Sequence, residues 1–104
     1  MILATSDDIK GHEIAETIGL VRGNSARARG IGYDITAGIR NIMGGAVPEY
    51  SKLITEARDE ATANMIAAAE AQGADAIVAV RYTTSMISSG VSEILAFGTG
   101  VKLR

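Results

Sequence analysis

Cysteine is absent from this chain. That excludes disulfides, thiolate metal ligands and cysteine nucleophiles together. Tryptophan is absent too, and phenylalanine, proline and histidine occur once each. With one imidazole, His12, and no serine–acid pattern near it, nothing supports a nucleophilic triad. Charge of one sign is also lacking. Ten Lys and Arg against 12 Asp and Glu leave a net charge of −2, which argues against a nucleic-acid or anionic-membrane binder. No apolar run approaches the roughly 20 residues that span a bilayer. The start, MILATSDD, lacks the basic segment and long apolar core of a secretion signal. The cytoplasm is the default expectation.

What is present is apolar and small. Hydrophobic residues make up 47% of the 104 positions, against 21% charged. Mean hydropathy is +0.19, unusual for a small soluble monomer. A chain of this length is one domain, 1–104, and buries only about two thirds of its unfolded surface. The simplest sink for the remaining apolar surface is a contact with further copies of itself.

Met1–Thr5 reads as a short first strand and Ser6–Gly11 as a turn. Glu13–Arg22 alternates as a strand, with Ile14, Ile18 and Leu20 on one face and Ala15, Thr17 and Val21 on the other. Gly23–Gly32 either extends that strand or forms a loop. Ile35, Ile39, Ile42 and Met43 recur at helical spacing, so Tyr33–Met43 reads as a helix stopped by Gly44-Gly45. A second helix spans Pro48–Gln72. Proline suits its first turn, Gly73 suits its C-cap, and Tyr50, Leu53, Ile54, Ala57, Ala61, Met65 and Ala68 form its apolar stripe.

Ala76–Met86 reads as a strand buried at its start, and Ser88-Ser89-Gly90 as a turn. The final strand, Val91–Leu103, carries Val91, Glu93, Leu95, Phe97, Thr99 and Val101 on one face. Its other face, Ile94, Ala96, Gly98 and Gly100, is small enough for close approach by a helix or another backbone. The order ββααββ predicts an α+β two-layer sandwich, with the long helix packed on a largely antiparallel sheet.

Candidate chemistry is sparse. His12-Glu13-Ile14-Ala15-Glu16 partly matches a zinc-protease helix, but the second histidine is a glutamate. On a strand, residues 12 and 16 stand about 13 Å apart, too far to share one zinc. Gly30-Ile31-Gly32 precedes a helix, yet Ile35 occupies the third glycine position of a dinucleotide fingerprint, so no cofactor class is specified. Arg22, Arg27 and Arg29 read as solvated or interface cations. Glu49, Tyr50, Arg58, Arg81, Tyr82 and Glu93 are the polar groups placed to meet at the helix–sheet junction or a subunit boundary. There a carboxylate and an arginine hold a small ligand or simply satisfy each other.

An ordered set of motifs runs through nearly the whole chain. It begins with Gly11-x-Glu13-Ile14, Gly19-x-Val21-x-Gly23, Gly38-Ile39-Arg40 and Gly44-Gly45. Glu49-Tyr50, Leu53, Ala57-Arg58, Ala61 and Met65 follow. Gly73-Ala74-Asp75-Ala76-Ile77-Val78, Thr84-Ser85, Glu93-Ile94-Leu95-Ala96 and Gly98-Thr99 complete it. In these the chain resembles the YbjQ-like family, functionally uncharacterised small bacterial and archaeal proteins described as "putative heavy-metal-binding". The resemblance implies a two-layer subunit assembled into a ring, a homopentamer, with no demonstrated enzyme activity. The chain departs from the family pattern at Ala46, where many relatives carry glutamate, at Phe97, which replaces tyrosine, and at Gly100, which replaces alanine.

Soft metals prefer thiolate and imidazole ligands, so a heavy-metal site on this chain needs several copies of His12, with Glu13 or the nearby Asp7 and Asp8. Three readings follow. The first is a non-enzymatic homo-oligomer that binds a small ligand at Glu49, Tyr50, Arg58, Arg81 and Glu93, or serves as a scaffold. The second is a metal-binding protein with a site at His12 and Glu13 shared between subunits. The third is an enzyme with an interface active site built from Glu49 or Glu93 with Arg58 or Arg81.

Overall fold

A computed structural model describes residues 1–25, 47–88 and 91–104. In chain order the elements are β1 (Ile2–Leu3), β2 (Ile14–Ser25), α1 (Val47–Ala71), β3 (Ala76–Ser88) and β4 (Val91–Leu103). Among the described residues, one helix packs on a four-stranded sheet of order β1-β3-β4-β2. The β2–β4 and β3–β4 pairs are antiparallel, and β1 runs parallel to β3. The described order is therefore ββαββ. The helix expected at 33–43, its glycine stop, the Gly30–Gly32 motif, Arg27, Arg29 and Ala46 lie outside the described residues.

Helix α1 ends as its sequence dictates. Gly73 takes the left-handed conformation (φ 80°) that costs other residues dearly. The Gly73 N–H donates to the Glu70 carbonyl (3.0 Å), and the Ala74 N–H donates to the Ala69 carbonyl (3.0 Å). This pair of bonds satisfies carbonyls that the last turn would leave open.

The buried stripe of α1 is Ala57, Ala61, Met65 and Ala69, each 0% exposed. The stripe read from sequence ended on Ala68, which is only half-buried. A strict four-residue step follows an inclined ridge of the helix surface, which puts Ala69 rather than Ala68 in the buried row. Three alanines bring the backbones close, and Met65 fills the remaining space. Burying a side chain of that size contributes roughly 1.5–3 kcal/mol.

The core under α1 is completed by Val21, Ala74, Ile77, Val80, Ile94 and Ala96. A second, smaller cluster lies on the opposite face of the sheet. There Ala76, Val78 and Val101 pack with Ile9, Ile14 and Leu103.

Two strands change face where strict alternation would not. The β2–β4 register slips between Thr17 and Gly19, where Gly19 has φ 138°. Ile18 consequently packs with the helix-side core, while Leu20 is 62% exposed on the other face. The expected grouping of Ile14, Ile18 and Leu20 on one face is corrected accordingly: an extra residue inverts side-chain parity. In β3 the register slips between Val78 and Arg81, and Ala79 takes φ 54°. Val78 and Val80 therefore belong to opposite cores.

Candidate functional site

The site is positioned by the contact between β2 and α1. Gly23 faces the helix so closely that a β-carbon built there would lie 2.5 Å from the Ala61 carbonyl oxygen. Real β-carbons do not approach other atoms so closely, so only glycine fits. One residue on, the Asn64 side chain of α1 donates through Nδ2 to the Asn24 carbonyl at 2.8 Å. The buried Ser25 hydroxyl donates to Glu60 Oε1 at 3.4 Å. Three successive residues of β2 are thus held against the helix.

Alternation then sends Arg22 and Asn24 to the sheet face away from α1. Arg22 pairs with Phe97 and Asn24 with Leu95 on β4. The bulge at Ala79 sends Arg81 to the same face, also opposite Phe97. Arg22, Phe97 and Arg81 therefore form one row across three strands. The two arginines differ in their engagement. Arg81 donates through Nη1 to the carbonyls of Thr5 (2.8 Å) and Val80 (2.9 Å), which draws its guanidinium toward the β1 side. Arg22 is exposed.

Between β2 and β4 on this face lies an open depression of about 380 Å³, lined by Arg22, Gly23, Asn24, Glu93 and Leu95. Glu93 is half-buried, and its Oε2 accepts from Asn24 Nδ2 at 3.4 Å. The depression combines a cation, a carboxylate, an amide and an apolar floor.

The residues singled out from sequence do not all converge within one chain. Arg81 and Glu93 share a face, but Glu93 stands four residues along β4 from the row of Arg81, about 13 Å away. Arg58 is exposed on α1, in the other layer. Tyr82 is also on the helix side, where its hydroxyl and Thr62 Oγ1 are 2.7 Å apart. The side chains of Glu49 and Tyr50 lie outside the described residues. Asn24 is not among the candidates the sequence offers, and the sequence marks Arg22 only as a solvated or interface cation. The signal available for both was their position either side of Gly23.

His12 and Glu13 lie at the opposite end of β2. His12 is exposed, and its backbone N–H donates to the Ile9 carbonyl at 3.1 Å. Glu13 Oε1 accepts from Arg104 Nη1 at 3.2 Å, with both side chains 68% exposed. Among the described residues, no group of three or more histidines and carboxylates is placed to hold a metal ion. The donor set of one chain does not suit a soft heavy metal: the sequence has no thiolate and one imidazole, and the carboxylate beside that imidazole already faces a guanidinium. No described helix is long and apolar enough to cross a membrane.

The family model described as "Putative heavy-metal-binding" matches residues 1–104. A "UPF0145 protein" of Halorubrum lacusprofundi is 53% identical over 104 residues, covering all of both chains. One of Methanosarcina acetivorans is 50% identical over 103 residues, covering 99% of this chain and 97% of its own. A "UPF0145 protein" of Photobacterium profundum is 52% identical over 103 residues, covering 99% and 100%. Among solved structures, a Pediococcus pentosaceus protein of unknown function from the "DUF74" family superposes with a TM-score of 0.65 over 100% of this chain and 98% of its own. At 16% identity that likeness speaks for the fold alone. With a family model spanning its full length and relatives at half identity end to end, the chain belongs to the YbjQ-like, UPF0145 family.

Proposed function

We propose that this chain works as a non-enzymatic homo-oligomer that holds a small ligand or serves as a scaffold. The observation that carries this reading is the half of the sheet that the described elements leave uncovered. Beyond Val80, side chains 81–85 of β3 are exposed, and β1 pairs only with Ala76 and Ile77. On the same face Leu20 is exposed and Leu95 and Phe97 are only half-buried. A long strand edge beside a partly apolar face is a surface that natural proteins cover. Further copies of this chain are the simplest cover. A ring of five is the arrangement that the family resemblance implies.

The non-enzymatic reading is supported by the division of polar groups. Arg58 lies in one layer, Arg81 and Glu93 lie in the other, and Arg81 is committed to backbone carbonyls. The test is native mass spectrometry on protein purified without chelator or affinity tag. A multimeric mass is expected, with any adduct identifying the ligand class. A monodisperse monomer would overturn the proposal.

A further inference from the structure

We infer that residues Met1–Ser6 form a latched strap on the edge of β3 between Ala76 and Val80, with Arg81 as the latch and Ala79 as the spring, and that opening the strap frees this edge for the same segment of a second copy. The strap is held by main-chain bonds. The Ala4 N–H donates to the Ile77 carbonyl (2.9 Å), the Val80 N–H to the Ala4 carbonyl (3.0 Å) and the Ala79 N–H to the Ser6 carbonyl (2.8 Å). Little side-chain burial backs them: Met1, Ile2 and Leu3 are 46%, 38% and 37% exposed. Segments with bonds but few buried apolar contacts open before the core does. The strap also ends in a natural hinge. Ile9 packs with the second cluster, and the His12 N–H donates to its carbonyl at 3.1 Å. Residues 1–6 can therefore lift while Ile9 keeps that cluster covered.

The latch sits where the strap leaves β3. Arg81 Nη1 donates to the Thr5 carbonyl on the strap (2.8 Å) and to the Val80 carbonyl on the strand (2.9 Å). One cationic nitrogen thus bridges the seam, where a longer β1 would have placed a backbone N–H. Bonds from a charged donor are the stronger class. The spring lies two residues earlier. Ala79 holds φ 54°, a left-handed conformation that costs an alanine energy. Its N–H has the Ser6 carbonyl as partner only while the strap is closed. Opening removes that partner and lets the strand relax, so strain at Ala79 pushes against the latch at Arg81.

With the strap lifted, the Ile77 carbonyl and the Ala79 and Val80 N–H groups lose their partners together. An edge left in that state recruits another strand. The strand that fits is Met1–Ser6 of a second copy, because every bond it would form there is one that the identical segment forms in its own chain.

The experiment is hydrogen exchange on the full chain, under conditions where exchange follows the opening equilibrium. The amides of Ala4, Ala79 and Val80 are expected to exchange together, and faster than those of Met65 and Ile94, which report global unfolding. Arg81→Gln should speed the three about tenfold or more, since it removes the charge-assisted bridge. Ala79→Gly should slow them several-fold, since glycine removes the strain from the closed state. Ile2→Cys combined with Ala76→Cys places two thiols at register partners of a chain that has no other cysteine, and their disulfide locks the strap. Light scattering below the melting temperature then reads the gate. Growth beyond the native mass should be faster than the parent's in Arg81→Gln and slower in the oxidised double variant, with its reduced form as the control. The inference is overturned if the strap exchanges only with the core, if the Arg81 and Ala79 variants fail to shift it in opposite directions, or if growth ignores the disulfide. Native mass separates the failures: a monomer sinks the assembly reading and leaves the strap standing.

Discussion

Gly23 of β2 and Ala61 of α1 are in backbone-to-backbone contact, with no room between them for one methyl group. Gly23→Ala must therefore push the helix off the sheet or distort the strand. The obstructing atoms are main-chain atoms, which cannot rotate away as a side chain would. Destabilisation of about 3 kcal/mol or more is expected, at the upper end of overpacking costs and a large share of a small domain's stability. Urea unfolding of the variant against the parent would measure it, and an unchanged midpoint would contradict the contact.

Ala79 makes the opposite case. Its φ of 54° is a left-handed conformation that alanine adopts at a cost and glycine adopts freely. Its N–H donates to the Ser6 carbonyl at 2.8 Å, so the conformation is tied to the N-terminal segment. Ala79→Gly is expected to be neutral or up to about 1 kcal/mol stabilising, because relief of strain offsets the greater freedom of the unfolded chain. Ala79→Val should destabilise by at least about 1 kcal/mol, since a β-branched side chain is poorly tolerated there. Thermal melts of both variants should rank glycine above valine. The reverse order would mean that the bulge is not left-handed.

The Glu13–Arg104 ion pair is largely exposed to solvent, and such pairs contribute little. The backbone bond between the same residues, Arg104 N–H to the Glu13 carbonyl at 2.8 Å, survives loss of the side chain. Glu13→Gln should therefore shift stability by less than about 0.5 kcal/mol, at either low or high salt. A larger, salt-dependent loss in calorimetry would show that the pair is shielded from solvent.

The family description invites a metal titration. With no thiolate in the chain, a soft metal has one strong nitrogen donor, His12. Any saturable nickel, copper or zinc isotherm is expected to collapse in His12→Ala. An isotherm that survives the substitution would assign the metal to carboxylates and remove the histidine site.

The long helix, its glycine cap and the last strand were legible because each rests on a local rule. The spacing of Ala57, Ala61 and Met65 is helical, Gly73 fits the left-handed end, and Ile94, Ala96, Gly98 and Gly100 alternate without interruption. The parity of β2 and β3 was not legible. A bulge announces itself weakly when an alanine occupies it, and each bulge reverses the facing of every residue beyond it. That is why Ile18 and Leu20 part company. The parallel pairing of β1 with β3 is set by tertiary contact and carries no local signal. The depression was hidden for a related reason: Glu93 was visible as a candidate, but its neighbours Arg22 and Asn24 depend on the register between strands 70 residues apart, as in the 69-residue separation of Asn24 and Glu93.

The bulge at Ala79 makes the length of β3 a coded quantity. Deleting that one residue would restore simple alternation and exchange the two sides of the strand from that point on. Arg81, Thr83 and Ser85 would turn under the helix, while Tyr82 and Thr84 would turn outward. A guanidinium would then enter an alanine-lined interior, and the tyrosine would leave Thr62. Single insertions and deletions near Ala79 therefore act as inversions of surface and interior, and only changes of two residues leave the strand the right way out.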